Sequence, residues 1–513
     1  MNTHGEAPLD SGAQTHRAAG ILGAAVVMGI LGVLFFYRAE GPPALNAFLW
    51  TTAGVVTIAV LLRLTRARRP STEAMVLMAA AWAFTASWVY SDADPTRAIS
   101  LFMAAVLVSL AARRAATPWL RRAGAAEFIG AGIVSWGNVF FGSLVLVRDA
   151  VVAAGAHSAA PAAWRRGTRA AIRGVALAVP LLVVFGALFI SADPVFADFV
   201  GSAVRIDLEP LFERIVFAGV IAWPTAGYLR GFLFGTRIPT GSVPQVRPRL
   251  GIVEGGIPLA LLDLLFLVFV LIQVRYLFGG AGLVEVTPGL TYAEYARRGF
   301  FELAAVSALT VPVLLLADWA LARETPRAAR AFHILAGALI ALVLAIMASS
   351  LFRMRLYQQA YGLTELRLYT TASIVWTGVT LAWLAFTLWR GRRSEFTFGA
   401  FLAGVAVAGV LVVAQPHALI VKVNARRAAA GLEFDAEYAT RLSADAVPPL
   451  VEALPILPAA ARCHVATELL DRWGDPPGNW RHWNLSDRRA RALVAANRAE
   501  LAGACPAGTP PPG

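Results

Sequence analysis

The sequence is poor in charge. Asp, Glu, Lys and Arg make up 15 % of its 513 residues, against about 25 % in an ordinary soluble domain. Such a chain cannot clothe a globule in a charged surface. Its 58 % of hydrophobic residues also exceeds the roughly 45–50 % usual in soluble domains. The same figures exclude disorder, which needs low hydrophobicity. A mean hydropathy of +0.63 over this length describes an all-α, polytopic membrane protein.

Cysteine is nearly absent, with only Cys463 and Cys505. A single pair excludes a disulfide-rich scaffold and a four-cysteine zinc site. Two readings stay open: one disulfide, if the tail faces an oxidising compartment, or two unrelated free thiols. Lysine is scarcer still, Lys422 being the only one among 45 basic residues. A P-loop needs a lysine after its glycines to reach phosphates. Lys422 stands in Ile420-Val-Lys-Val-Asn424 without that pattern, so a Walker-type ATPase is excluded. Histidines 4, 16, 157, 333, 417, 464 and 482 include no pair four apart, so the two-histidine helical zinc motif is missing. Neither Cys-x-x-Cys nor Gly-x-Ser-x-Gly occurs. No metal and no cofactor is therefore expected. The formal charge of +13 invites a nucleic-acid reading. The arginines sit instead in loops between apolar runs, as the positive-inside rule requires, and no nucleic-acid partner is expected.

Eleven apolar runs approach the roughly 20 residues that a helix needs to cross a 30 Å hydrocarbon core. They are 18–36, 43–62, 73–90, 98–112, 174–191, 211–234, 257–278, 300–320, 331–351, 369–389 and 396–414. The loop 63–72 carries Arg63, Arg66, Arg68 and Arg69, and the loop after 112 carries Arg113, Arg114, Arg121 and Arg122. Between them, 91–97 holds Asp92, Asp94 and only Arg97. This alternation sets the N-terminus, 1–17, in the cytoplasm. The run 125–147 is apolar too, but a crossing there would put Arg148, Arg165, Arg166, Arg169 and Arg173 outside. The expectation for 113–173 is therefore an Arg-rich cytoplasmic segment with a re-entrant or interfacial helix. Four spans over 18–112 and a seven-helix membrane core over 174–414 follow. Eleven crossings of a plasma membrane then leave the tail outside.

The tail changes character. Residues 415–505 read as a small extracytoplasmic domain of short helices, and 506–513, rich in Pro and Gly, as disordered. Ser443 or Asp445 can cap a helix running through Val451-Glu-Ala-Leu454. Helices are expected over Ala459–Trp473 and Ser486–Leu501.

The sharpest chemical feature lies around the outer ends of the later spans. Arg275, Arg297, Arg298, Arg353, Arg355 and Arg367 all fall there, against the positive-inside bias. Glu294, Glu302 and Glu365 are too few to balance them. Glu294, Arg298 and Glu302 follow at intervals of four, as do Arg353 and Tyr357, so each set shares a helix face. With Tyr292 and Tyr295 these residues can form an anion site, arginines giving paired bonds to phosphate or carboxylate. The competing reading is an ion-pair network with arginines snorkelling to lipid headgroups. Asp263 lies within a span, where an ionisable group is a functional hypothesis by default. Asp92 and Asp94 can hold a metal for a sugar-phosphate donor, or form a solvated turn.

The run Tyr292-Ala-Glu-Tyr-Ala-Arg-Arg-Gly-Phe-Phe-Glu-Leu303 resembles a signature of a bacterial family of polytopic membrane proteins, domain of unknown function 4173, with a sibling, 4153. Gly186–Phe196, Phe266–Gly280, Tyr361–Thr370 and Trp480-Arg-His-Trp-Asn-Leu-Ser486 carry the likeness over roughly 170–490. Gln415-Pro416-His417 departs from an Asn-Pro-Asp-like pattern associated with that family. The resemblance implies a helical membrane domain with a polar C-terminal region, and no activity. The functional expectation is an envelope accessory or sensor whose partners are membrane lipids or an anionic lipid-linked ligand. A transporter or flippase, or a lipid-linked transferase using Asp92 or Asp94, are the alternatives.

Overall fold

An apolar segment in lipid must satisfy its own backbone hydrogen bonds, so long apolar runs become helices. The computed structural model describes residues 11–39, 41–65, 70–112, 120–156, 209–234, 250–278, 300–321, 325–475 and 478–505, with a few isolated residues between 178 and 193. The described residues contain no strand.

Among the described residues eleven long helices form the bundle: α1 (Ser11–Phe36), α2 (Leu45–Leu64), α3 (Thr72–Tyr90), α4 (Asp94–Ala111), α5 (Ala125–Ala156), α6 (Glu209–Phe234), α7 (Ile252–Phe278), α8 (Phe300–Ala320), α9 (Pro326–Tyr361), α10 (Glu365–Trp389) and α11 (Phe396–Val413). Among the described residues, ten helices are long and apolar enough to cross a membrane, while the apolar part of α8, Ala305–Ala320, is shorter. The expected span 174–191 lies almost wholly outside the described residues. The short run expected at 98–112 is a full helix, because it begins earlier, with Asp94 and Pro95 in its first turn. Proline suits that position since its missing N–H is unpaired there anyway.

The stretch 125–147, expected to be re-entrant or interfacial, belongs to one unbroken helix of 32 residues. A re-entrant segment turns back in mid-membrane; α5 runs on for about 48 Å at 1.5 Å per residue, and its Ala125–Ala150 part has the length and apolarity of a crossing. It packs on α6 through small residues. A Cβ at Gly142 would stand 3.0 Å from Gly227 Cα, so the two backbones meet as closely as glycine allows. The Trp223 indole donates to the Phe140 carbonyl at 3.0 Å across the same contact.

Two apolar cores fill the bundle. Ile21, Leu61, Leu77, Phe84, Leu107, Leu229 and Phe232 belong to the first, which also takes Ala408 and Val412 from α11. Leu259, Leu314, Phe332, Leu339, Val343, Leu381 and Leu384 build the second, with Phe396 from the start of α11. Helix α11 thereby joins both.

The loop expected between 351 and 369 is mostly helical. Residues 352–361 contain no Gly or Pro and favour helix, so α9 continues to Tyr361 over 36 residues. Gly362 then takes φ +79° and ψ 179°, a conformation open in practice only to glycine, and ends the helix.

After α11 the chain forms a helical cap: α12 (Pro416–Ala429), α13 (Ala436–Arg441), α14 (Val447–Ala453), α15 (Ala459–Trp473), α16 (Leu485–Ala496) and α17 (Arg498–Ala502). Its core includes Ile420, Val421, Leu450, Leu469, Trp473 and Val494, and it also takes in Leu363 from the turn between α9 and α10. Cys463 and Cys505 are bonded, tying the chain after α17 to α15. Closing a loop with a sequence separation of 42 is worth about 4 kcal/mol in the chain-entropy picture. The helix expected over Ser486–Leu501 is interrupted at Asn497, which ends α16 and precedes α17.

Candidate functional site

Polar side chains in an apolar chain concentrate where helix ends must be satisfied. Here they gather between the cap and three bundle turns. The N-terminal part of α1 lies at the opposite end, where Arg17 Nε donates to the Thr65 carbonyl at 3.1 Å.

The first turn, 37–44, meets the cap through backbone groups. His482 Nδ1 donates to the Pro42 carbonyl at 3.0 Å, and Leu45 N–H donates to the Trp483 carbonyl at 3.3 Å. The second turn, 91–93, is held by Asp445, which is 3 % exposed. Ser91 Oγ donates to Asp445 Oδ2 at 2.6 Å, the Ser486 hydroxyl donates to Oδ1, and Asp92 N–H lies 3.3 Å from both oxygens. Asn484, buried beside it, donates to the Trp88 and Ser91 carbonyls at 2.9 Å. Its Oδ1 accepts from Ser486 N–H at 2.8 Å and Asp487 N–H at 3.2 Å, making it the N-cap of α16. Asp445 itself does not cap α14, as its position suggests, and Ser443 makes no side-chain cap bond either. Asp445 turns toward the bundle because two donors of that turn, with the Ser486 hydroxyl of the cap beside them, need an acceptor.

The third turn, 362–364, is gripped from both sides. Asn424 accepts from Leu363 N–H at 2.7 Å and donates to the Leu363 carbonyl at 2.9 Å. A Cβ at Gly362 would stand 2.7 Å from both Arg427 and Asn424, so glycine is required there on space as well as φ. The last carbonyls of α9 are taken by two guanidinium groups. Arg427 donates to Gln359 at 3.1 Å and Ala360 at 2.8 Å; Arg367 donates to Tyr361 at 2.9 Å and Gly362 at 2.6 Å. Cations at a helix C-terminus also complement its dipole. Arg367 lies besides 4.1 Å from the centre of the Tyr357 ring, a cation–π contact.

Glu365, at the start of α10, accepts from His417 Nε2 at 2.8 Å. His417 Nδ1 accepts from Ser443 N–H at 3.0 Å and lies 2.8 Å from Ser443 Oγ. The backbone donor assigns Nδ1 as the bare nitrogen, so Nε2 carries the proton. Ser443, His417 and Glu365 thus have the composition of a hydrolase relay but not its wiring. The ring nitrogen facing the serine is already occupied by a backbone N–H. The chain serves as another clasp between cap and bundle.

Of the residues expected to form an anion site, Tyr292, Glu294, Tyr295, Arg297 and Arg298 lie outside the described residues. Arg275 and Glu302 fall on helices whose side chains there are likewise outside the description. Arg353, Arg355 and Tyr357 share the last turns of α9, Arg355 being exposed and Arg353 half-buried. Arg367 and Glu365 are committed to the contacts above. Asp92 and Asp94 both pair with Arg97, at 2.6 and 3.1 Å. Burial raises the Asp92 carboxyl above its ordinary range even with Arg97 beside it. Asp263 sits in the middle of α7, away from the cap, and both its oxygens are buried without a hydrogen-bond partner. Among the described residues no group of three or more His, Cys, Asp or Glu is arranged to hold a metal.

The sequence reading missed Ser91, Asn424, Asn484 and Ser486 and treated Asp92 as a solvated turn. Asn484 with Asp487 three residues on is a visible helix-start signature. Nothing in the sequence links it to a turn almost 400 residues earlier.

Removing the Asp445 acceptor strands two hydroxyls and an N–H in a buried place. Asp445→Ala is expected to destabilise the detergent-solubilised protein by about 2–5 kcal/mol, read by thermal unfolding. An unchanged midpoint would mean that solvent replaces the carboxylate.

The profile of a domain of unknown function, DUF4153, matches residues 74–453. It starts earlier in the bundle than the likeness noted over 170–490 and ends inside the cap, after α14. No curated protein and no solved structure matches the chain. The match takes in Ser91, Glu365, His417 and Asp445 but not Asn484 or Ser486. With this match over most of its length and ten apolar helices of crossing length, the chain is an integral membrane protein that belongs to the DUF4153 family.

Proposed function

We propose that this protein is an envelope accessory or sensor of a bacterial plasma membrane, binding an anionic lipid or lipid-linked envelope precursor on the face that carries the cap. The observation that supports it is Arg355, exposed and without an ion pair among the described residues, two turns from the arginine-capped end of α9. Arg353 and Tyr357 flank it on the same helix. A guanidinium at this level can give paired, charge-assisted bonds to a phosphate. Arg367 is left out of that site, since its Nη1 donates to two carbonyls and its guanidinium lies over the Tyr357 ring.

The cap is extracytoplasmic in this reading and the N-terminus cytoplasmic. The Cys463–Cys505 bond supports this, because disulfides persist in oxidising compartments. The start of α1 and the cap also lie at opposite ends of the bundle. A transporter or flippase is the second reading, supported by Asp263, whose buried oxygens lack partners at a depth where ionisable groups mark pathways. The transferase reading loses its carboxylate pair to Arg97.

Native mass spectrometry of protein extracted in its own lipids tests the first reading. A defined anionic adduct is expected on the wild type, weakened about tenfold or more in an Arg353→Ala, Arg355→Ala variant, since each charge-assisted bond is worth about 1.5–3 kcal/mol. Retention of the adduct by a folded variant would move the site elsewhere. For orientation, a membrane-impermeant thiol reagent applied to reduced, intact cells is expected to label Cys463 and Cys505. Labelling only after lysis would reverse the topology.

A further inference from the structure

A cleft lies at the end of α11, about 420 Å³ in volume, within the roughly 300–1,000 Å³ range of small-ligand sites. Three cap helices each present one stripe to it. Gln415, Ala418 and Lys422 are spaced by three and four along the start of α12; Pro448 and Glu452 are four apart on α14; Arg489, Ala492 and Leu493 share a face of α16. Such spacings put residues on one helix face. Asp445 forms part of the wall, its oxygens already engaged by the bundle turn.

Charge in the cleft is mixed. Lys422, Arg489 and Glu452 are exposed and make no hydrogen bond or ion pair among the described residues. Two free cations and one free carboxylate, with a buried carboxylate in the wall, suit a ligand carrying both signs. A doubly anionic ligand would face Glu452 and Asp445 without compensation.

The position of the cleft selects the source of that ligand. Gln415 has φ +48°, a left-handed conformation that costs a non-glycine residue about 1–2 kcal/mol. It turns the chain sharply between α11 and α12. Helix α12 starts directly after the end of α11, and its far end meets the end of α9 through Asn424 and Arg427. It therefore lies across the end of the bundle. The polar layer of a bilayer is roughly 5–8 Å deep on each side of the hydrocarbon, and a helix is about 10 Å thick. With α11 spanning the bilayer, these dimensions put a cleft beside its last turn at headgroup depth.

We propose that this cleft binds the zwitterionic phosphoethanolamine headgroup of a membrane lipid, its phosphate against Lys422 and Arg489 and its ammonium against Glu452. The site shares no residue with the α9 arginines, so either can fail without the other. Free phosphoethanolamine or a free amino acid offers the same pair of charges from solution.

Lys422 is its own reporter, because the only other amine in the chain is the N-terminus. The full-length protein in phosphatidylcholine nanodiscs, with or without phosphatidylethanolamine or phosphatidylglycerol, is treated with an excess of an acetylating reagent. Acetylation of Lys422 is followed by mass spectrometry, with the N-terminal amine as internal reference. Phosphatidylethanolamine is expected to slow it about tenfold, the factor that one charge-assisted bond supplies. Phosphatidylcholine, whose quaternary ammonium cannot donate to Glu452, is the unprotected baseline. Arg489→Ala should abolish most of the protection, and Glu452→Gln should remove the preference for phosphatidylethanolamine over phosphatidylglycerol. Protection by free phosphoethanolamine or glycine in pure phosphatidylcholine nanodiscs, greater than that given by the lipid, would overturn the lipid source. Equal rates in every composition, or stronger protection by phosphatidylglycerol, would overturn the site as a zwitterion site.

Discussion

Helix turns at a membrane surface leave backbone groups and hydroxyls that need partners, and a turn covered by another domain cannot take them from water. Asp445 meets that need for the α3–α4 turn, accepting from Ser91, Ser486 and the Asp92 backbone. A carboxylate suits the place because it has acceptor sites only, and every neighbour is a donor. The rest of the cap follows from this docking. Asn484 is buried because it answers the carbonyls of the same turn, and in doing so it starts α16. His417 and Glu365 repeat the arrangement at the α10 end. Leu363 completes it with an apolar anchor inside the cap core.

The arginines gain a clearer division of labour from the same geometry. Arg367 and Arg427 close the carbonyl end of a 36-residue helix, and Arg97 gathers Asp92 and Asp94 at the start of α4. These are structural roles, each with at least two acceptors on the chain. Arg355, Lys422 and Arg489 are different: they are exposed on the cap side and have no acceptor among the described residues. A function that involves anionic oxygen must use residues of this second kind.

Architecture was legible in the sequence to the extent that it depends on apolar length. Run length located the helices from α1 to α11, because only a helix satisfies its backbone in lipid, but not all their ends: α1 begins seven residues before its run, and α9 overruns its own by five residues at the start and ten at the end. At 125–147, where charge placement argues for an inner-face helix and composition for a crossing, the chain forms one long helix. At 352–361 a polar stretch was read as loop although nothing in it breaks a helix. Of the candidate site, the outer arginines were visible as charge against the topological bias, but their engagement was not: a guanidinium on a helix end and one free for a ligand look alike in one dimension. The Asp445 contacts were invisible for a related reason. Their partners come from positions 91, 92 and 486, and no local pattern encodes contact order of that size.

Cap and bundle should therefore behave as one body. Hydrogen–deuterium exchange of the full-length protein, in detergent with increasing denaturant, tests this most directly. The account predicts that amides in the cap core around Ile420, Leu450 and Leu469 open together with the bundle turns 91–93 and 363–365, with one free energy. A cap that exchanges at a lower free energy of its own, while those turns stay protected, would contradict it.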